Sequence, residues 1–98
     1  MKYKIREVNE VNHDCYGKCI ELLCAPVTPG YGGYFIPEGR LSCVIFVLPY
    51  TEWLINQYVF LAQSGEFAEF DTDLYIKEEY PGRPTVYFNE TVYNRYQP

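Results

Sequence analysis

The sequence predicts an α+β domain in which a mostly antiparallel sheet of about five strands carries one main helix, in the order β-β-loop-β-α-β-β. Three observations predict this class. An apolar run from Leu41 to Leu48 leads directly into a segment with helical spacing that ends at Gly65. Strand-like segments lie on both sides of this unit. The length of 98 residues and the apolar content of 48% suit a single domain over residues 1–98 with one core.

The first two elements are predicted to form a β-hairpin. Tyr3 to Val11 is strand-like, but its alternation slips near Glu7, which indicates a β-bulge. Lys18 to Ala25 is a short apolar run that supplies the second strand. A short helix that starts at Asp14 is the alternative, because apolar residues at helical spacing would share one side of it.

The centre of the chain is predicted to be a loop, a buried strand and a helix. Pro26 to Arg40 contains three prolines and four glycines, so it should be a 15-residue loop. Leu41 to Leu48 is apolar almost throughout and is therefore expected to be a central strand buried on both faces. Pro49 ends that strand, and Thr51 and Gly65 are suitable N-terminal and C-terminal caps for the helix.

The helix has one predicted core face and one unusual flank. Helical spacing turns six apolar residues toward the sheet, namely Leu54, Ile55, Tyr58, Val59, Leu61 and Ala62. Trp53 and Phe60 fit neither this face nor the polar one. Their simplest interpretation is a second layer of the core under the long loop. If the loop does not cover them, they form an exposed aromatic pair of the kind that anchors a partner.

The last third of the chain is predicted to be a second hairpin. Apolar and polar residues alternate from Glu69 to Tyr80, which predicts one continuous strand. Its inward set is Phe70, Thr72, Leu74, Ile76 and Tyr80. After a turn at Pro81 to Pro84, the return strand runs from Thr85 to Tyr93.

The register of this second hairpin follows from its core residues. The inward set of the return strand is Val86, Phe88 and Val92. If the inward residues of one strand lie opposite those of the other, Tyr80 pairs with Val86 and Leu74 pairs with Val92. The remaining residues, Asn94 to Pro98, are expected to fray.

The charge balance argues against several classes of partner. Thirteen acidic residues against eight basic ones give a net charge of −5, which disfavours direct nucleic-acid binding and attraction to anionic membranes. No apolar run suits a signal peptide or approaches the roughly 20 residues of a membrane span. These observations predict a soluble, cytoplasmic protein whose four cysteines are reduced thiols.

The acidic charge is concentrated between residues 66 and 80, where six acidic residues accompany a single lysine. If this segment is a strand, Glu69, Asp71 and Asp73 form a row on one face, spaced by about 6 to 7 Å. Such a row repels itself unless a cation or a basic partner lies opposite. It therefore predicts a surface that binds a basic protein groove, such as one that normally holds nucleic acid. The competing interpretation is a solvated sheet face that prevents aggregation.

Metal and catalytic motifs are weak. His13 and the four cysteines could supply zinc ligands, but their spacing is poor and three of the cysteines have apolar neighbours, which favours small buried hydrophobes. Asp71 and Asp73 resemble the start of a calcium loop, but Ile76 stands where such a loop requires glycine. A Cys/His nucleophile pair lacks an identifiable oxyanion hole. We therefore predict no catalytic residue, no metal and no cofactor.

A glycine-aromatic loop is the second candidate contact surface. Its candidate ligand-binding residues are Tyr31, Gly32, Gly33 and Tyr34, whose rings could stack on a base or on a partner's side chains. The competing interpretation is that Tyr34, Phe35 and Ile36 fold back over the sheet. A nucleotide would also need a cation nearby, for which the candidates are Arg40, Arg83 and Lys18.

The leading functional hypothesis is a non-enzymatic binding protein that occupies a surface on a larger, basic protein partner. Its expected contact residues are Glu69, Asp71, Asp73, Tyr75, Glu79, Trp53 and Phe60. In size and charge the chain is similar to small acidic inhibitors and to anti-defence proteins of viruses and mobile elements, a likeness of composition alone. The alternative is a binder of a small aromatic ligand or nucleotide at the glycine-aromatic loop, either as a monomer or across a homodimer interface.

Overall fold

The structure, a computed structural model, describes residues 1–96 and has the predicted α+β class. Its strands are β1 (Lys2–His13), β2 (Gly17–Pro26), β3 (Thr28–Gly30), β4 (Gly33–Phe35), β5 (Val44–Pro49), β6 (Ala68–Glu69), β7 (Tyr75–Glu78) and β8 (Thr85–Asn89). Its α-helices are α1 (Glu52–Ser64) and α2 (Glu90–Tyr96). Within residues 1–96, neither helix is long and apolar enough to cross a membrane.

The main sheet contains six strands in the order β6-β1-β2-β5-β8-β7. All neighbouring strands are antiparallel except β5 and β8, which are parallel. The prediction of a mostly antiparallel sheet with one main helix is therefore confirmed, with one more strand and a second, short helix. Strand β5 lies in the interior of the sheet, as its apolar sequence predicts.

The first hairpin forms as predicted, including its bulge. Ile5 lies opposite Cys24 and Glu7 lies opposite Leu23, so Arg6 is the extra residue on β1. The helix considered from Asp14 does not form, because residues 14–16 make the turn between the two strands.

The two faces of the sheet are covered by different helices. On the face that α1 covers, here called the helix face, Ile20, Leu22 and Phe46 are buried. On the opposite face, here called the second face, Val47 and Phe88 pack with α2. Successive residues of a strand point to opposite faces, so the run in β5 fills both layers of the core.

Helix α1 begins and ends at the predicted caps. The Thr51 hydroxyl oxygen accepts a hydrogen bond from the Leu54 N–H at 3.0 Å, and Gly65 has a left-handed φ of 78°. The predicted inward residues pack against the sheet, with the exception of Val59, which lies at the exposed margin.

The predicted continuous strand from Glu69 to Tyr80 is wrong. The segment divides into β6 and β7, which lie at opposite edges of the sheet and are separated by a 3-10 turn at Thr72–Leu74. Phe70 lies between them under α1, with its ring stacked on Phe46 at 4.2 Å between centroids. Because the Phe70 ring is buried in the core, the backbone bends across the helix face. Leu74, which was predicted to face inward, is 72% exposed.

The predicted end of the chain also needs correction. Strand β8 stops at Asn89, whose side-chain oxygen accepts a hydrogen bond from the Thr91 N–H at 2.9 Å, and α2 follows. Val92 is fully buried as predicted, but it reaches the core from a helix. Residues 94–96 are helical and not frayed, and residues 97 and 98 lie outside the described part.

Two further local predictions are wrong. Ile76 lies opposite Phe88 and Glu78 opposite Val86, so the register of β7 and β8 differs by two residues from the predicted one. Within the predicted loop from Pro26 to Arg40, β3 and β4 form a short hairpin, closed by a turn that contains Gly32 and Gly33.

The buried position of Phe70 gives a stability prediction. Phe70→Ala should lower the free energy of unfolding by about 3 to 5 kcal/mol, because its ring is 5% exposed and packs in the aromatic core. Urea denaturation followed by circular dichroism measures the loss. Leu74→Ala, the control, should change the unfolding free energy by less than about 0.5 kcal/mol. Equal effects of the two substitutions would contradict the bend described for this connection.

Candidate functional site

The exposed side of α1 carries the two aromatics that were singled out in the sequence. Trp53 is 71% exposed and Phe60 is 62% exposed, so their interpretation as a second core layer is wrong. They are seven positions apart in the sequence, which places them on one side of the helix, about 10 Å apart along its axis. The long loop does not cover them because it packs elsewhere: Ile36 joins the cluster of Leu23 and Ala25 on the second face.

The rest of this helix side has few charges. The exposed residues of α1 are Glu52, Trp53, Asn56, Gln57, Val59, Phe60, Gln63 and Ser64. Glu52, in the first turn, is the only charged residue of the helix. Surface helices usually carry charged residues on their solvent side, whereas interface cores are depleted in charge and enriched in aromatics. We call Trp53, Asn56, Gln57 and Phe60 the aromatic ridge.

The acidic residues do not form the predicted row. Glu69 lies in β6, and Glu79 follows β7. Asp71 directly precedes the 3-10 turn, and Asp73 lies within it. All four are exposed. The prediction is wrong because the backbone bends: the Asp71 carboxylate accepts a hydrogen bond from the Asp73 N–H at 3.0 Å. Glu79 is paired with Lys77 at 3.0 Å.

A shorter acidic surface remains next to α1. Glu66 follows the helix cap directly, and with Glu69, Asp71 and Asp73 it forms what we call the acidic connection. Within residues 1–96, none of these four carboxylates is in an ion pair. The connection follows the C-terminal end of α1, and Phe60 lies four residues before the last residue of that helix.

Tyr75, predicted beside the acidic row, faces the core instead. Its ring packs edge-on against Phe46 at 5.2 Å and Phe70 at 6.1 Å between centroids. Burial raises the pKa of Tyr75 to about 12. The predicted outward orientation of Tyr75 is therefore wrong, because its half-buried side chain belongs to the layer under α1.

The predicted glycine-aromatic loop forms the exposed hairpin of β3 and β4, which contains no arginine. Tyr31, Tyr34 and Phe35 are exposed, and the Tyr34 ring contacts Phe67 at 5.3 Å between centroids. The cavity at this hairpin has a volume of about 300 Å³ and is lined by residues 30–35 only. Of the candidate cations for a nucleotide, Arg40 and Arg83 line a different cavity and Lys18 is paired with Glu10 at 2.9 Å. The cation beside the hairpin is Lys2, whose Nζ lies 5.9 Å from the centroid of the Tyr34 ring. The predicted fold-back onto the sheet is seen for Ile36, which packs on the second face, but Phe35 points into solvent.

The cysteines behave as small hydrophobic residues. Cys19, Cys24 and Cys43 are buried and Cys15 is exposed, all as free thiols. Burial raises the pKa of Cys24 to about 12, which keeps its thiol protonated. His13 Nδ1 accepts a hydrogen bond from the Cys15 backbone N–H at 3.1 Å. No group of three metal-ligating side chains occurs among the described residues.

Sequence reasoning missed one cavity, which lies on the second face. Glu21, Tyr80 and Arg83 line it together with Arg40. The sequence feature that indicates this cavity is Glu21. It is the only charged residue of β2 after Lys18, in a segment that is otherwise apolar.

Comparison of the chain with protein-family models, with curated proteins and with solved structures finds no match. The functional argument therefore depends on the geometry described above.

The burial of the thiols predicts their reactivity. At about pH 8, Ellman's reagent should modify Cys15 rapidly in the native protein, while the three buried thiols react only after unfolding. Cys15→Ser should remove the fast phase, and Cys24→Ser should leave it unchanged. A second fast thiol in the native protein would contradict this arrangement.

Proposed function

We propose that the chain is a non-enzymatic binding protein that occupies a surface on a larger protein partner through the aromatic ridge. The observation that carries this proposal is the exposed side of α1, where Trp53 and Phe60 stand in solvent and no charged residue follows Glu52. A helix side of this composition is typical of an interface core.

The ridge has the chemistry of a binding anchor. Transfer of an exposed aromatic side chain into a partner's pocket contributes about 1.5 to 3 kcal/mol. Trp53 and Phe60 are far enough apart to enter two pockets, and Asn56 and Gln57 between them can hydrogen-bond to the partner's backbone. The mode resembles the helix-in-groove recognition found in other complexes.

The acidic connection supports a basic partner. Within residues 1–96 its four carboxylates are in no ion pair, and the chain as a whole has a net charge of −5. Exposed charges of this kind speed the approach of an oppositely charged surface and fix its orientation more than they strengthen the final complex.

The aromatic ridge can be tested by substitution. Trp53→Gln combined with Phe60→Gln should weaken capture of the partner from a cell lysate by about a thousandfold, if each side chain contributes about 2 kcal/mol. The matched control is Leu41→Gln, because Leu41 is 69% exposed but lies outside the ridge. Quantitative mass spectrometry of the captured proteins measures the effect. Unchanged capture by the double variant would rule out the ridge as the contact surface.

The acidic connection gives a separate prediction. Asp71→Lys combined with Asp73→Lys should slow association at low ionic strength, and the difference from the native chain should shrink at high salt because exposed charges are screened. Surface plasmon resonance with the captured partner measures both rates. An association rate that is equal for the two chains at low salt would show that the partner is not basic at this point.

A further inference from the structure

The second face of the sheet contains a groove that neither helix fills. A cavity of about 440 Å³ is lined there by residues that include Glu21, Ile45, Tyr80, Arg83 and Val86. A cavity of about 230 Å³ beside it shares Glu21, Tyr80, Arg83 and Val86 and extends to Tyr16. We call the two together the second-face groove. Its size is within the roughly 300 to 1,000 Å³ of typical ligand sites.

The floor of the groove is apolar. Ile45 and Val86 lie opposite each other on the paired strands β5 and β8, and both are only half-buried. Pro84 and Leu41 extend this apolar surface. Tyr80, which is exposed, stands at the rim with its ring available for contact. Such a floor favours a ligand with an apolar body.

The walls of the groove carry one free charge of each sign. Glu21 points from β2 to the second face, and Arg83 comes from the connection between β7 and β8. Neither is in an ion pair within residues 1–96, so their charged atoms lie more than 4.0 Å apart. Arg40 differs, because its guanidinium is already held by Glu7 at 3.1 Å.

This charge balance selects the class of ligand. A dianion such as a nucleotide would face Arg83 with Glu21 nearby, in a chain whose net charge is already −5. A molecule with one negative and one positive group could instead meet both free charges. If the ligand pairs with both Glu21 and Arg83, neither protein charge is left desolvated and unpaired in the complex, which avoids that free-energy cost.

We propose that the second-face groove binds a small amphipathic zwitterion of the class of apolar α-amino acids. The ligand's carboxylate pairs with Arg83 and its ammonium group pairs with Glu21. Its side chain lies on Ile45 and Val86, with the ring of Tyr80 beside it. This site is on the opposite face of the sheet from the aromatic ridge and does not depend on the proposed protein-binding function.

The test uses three probes that differ in charge and share an apolar body. They are L-phenylalanine, 3-phenylpropanoate, which lacks the ammonium group, and phenethylamine, which lacks the carboxylate. Titration of the ¹⁵N-labelled full chain, followed by NMR, should show that L-phenylalanine shifts the amide signals of β2, β5 and β8. The affinity of each of the other two probes should be lower by a factor of about ten or more, because each leaves one protein charge unpaired.

Two variants assign the charges. Glu21→Gln should remove the preference for L-phenylalanine over 3-phenylpropanoate, and Arg83→Gln should remove the preference over phenethylamine. Glu21→Gln is isosteric, Arg83→Gln leaves a shorter polar side chain, and circular dichroism checks that the variants fold. Lys2→Gln is the control, because Lys2 lies at the β6 edge of the sheet and its loss changes the net charge without touching the groove.

Three results would overturn the proposal. The first is the absence of shifts at β2, β5 and β8 with every probe at millimolar concentration. The second is equal or tighter binding of either singly charged probe. The third is a preference for L-phenylalanine that persists unchanged in both Glu21→Gln and Arg83→Gln.

Discussion

The stack of Phe70 on Phe46 is the contact on which the rest of the fold depends. The two ring centroids are 4.2 Å apart, and Tyr3, Tyr58 and Tyr75 pack around them. Phe70 belongs to the connection between β6 and β7, which lie at opposite edges of the sheet. Burial of this one ring therefore fixes the path of the connection, fills the layer under α1 and places both edge strands.

The parts of the fold that can be predicted from the sequence are those whose contacts are local. The bulge near Glu7 and the caps at Thr51 and Gly65 each depend on neighbours within a few residues. The alternation from Glu69 to Tyr80 is just as regular, yet two short strands joined by a bend produce the same period as one strand. Which of the two forms depends on where Phe70 is buried, and that is decided by the core as a whole.

The sequence indicates which residues of the aromatic ridge are unusual, but it does not indicate how they are arranged in the folded chain. Trp53 and Phe60 are conspicuous in the sequence because they fit neither side of the helix, but their exposure depends on where the long loop packs. Glu21 and Arg83 line the same groove because β2, β5 and β8 are neighbours, with β8 parallel to β5. That strand order depends on contacts between distant parts of the chain, which local patterns do not encode.

The bend in the acidic segment changes what its charges can do. In a straight strand, Glu69, Asp71 and Asp73 would face one side and repel each other, which would favour a basic partner opposite them. In the folded chain Glu69 instead lies opposite Lys2, and Asp71 accepts a hydrogen bond from the Asp73 backbone. The three carboxylates therefore do not form one row on a single face of a strand. Because salt screens the charges that remain but not the burial of an aromatic ring, the aromatic ridge should decide the strength of a complex and the acidic connection its rate of formation.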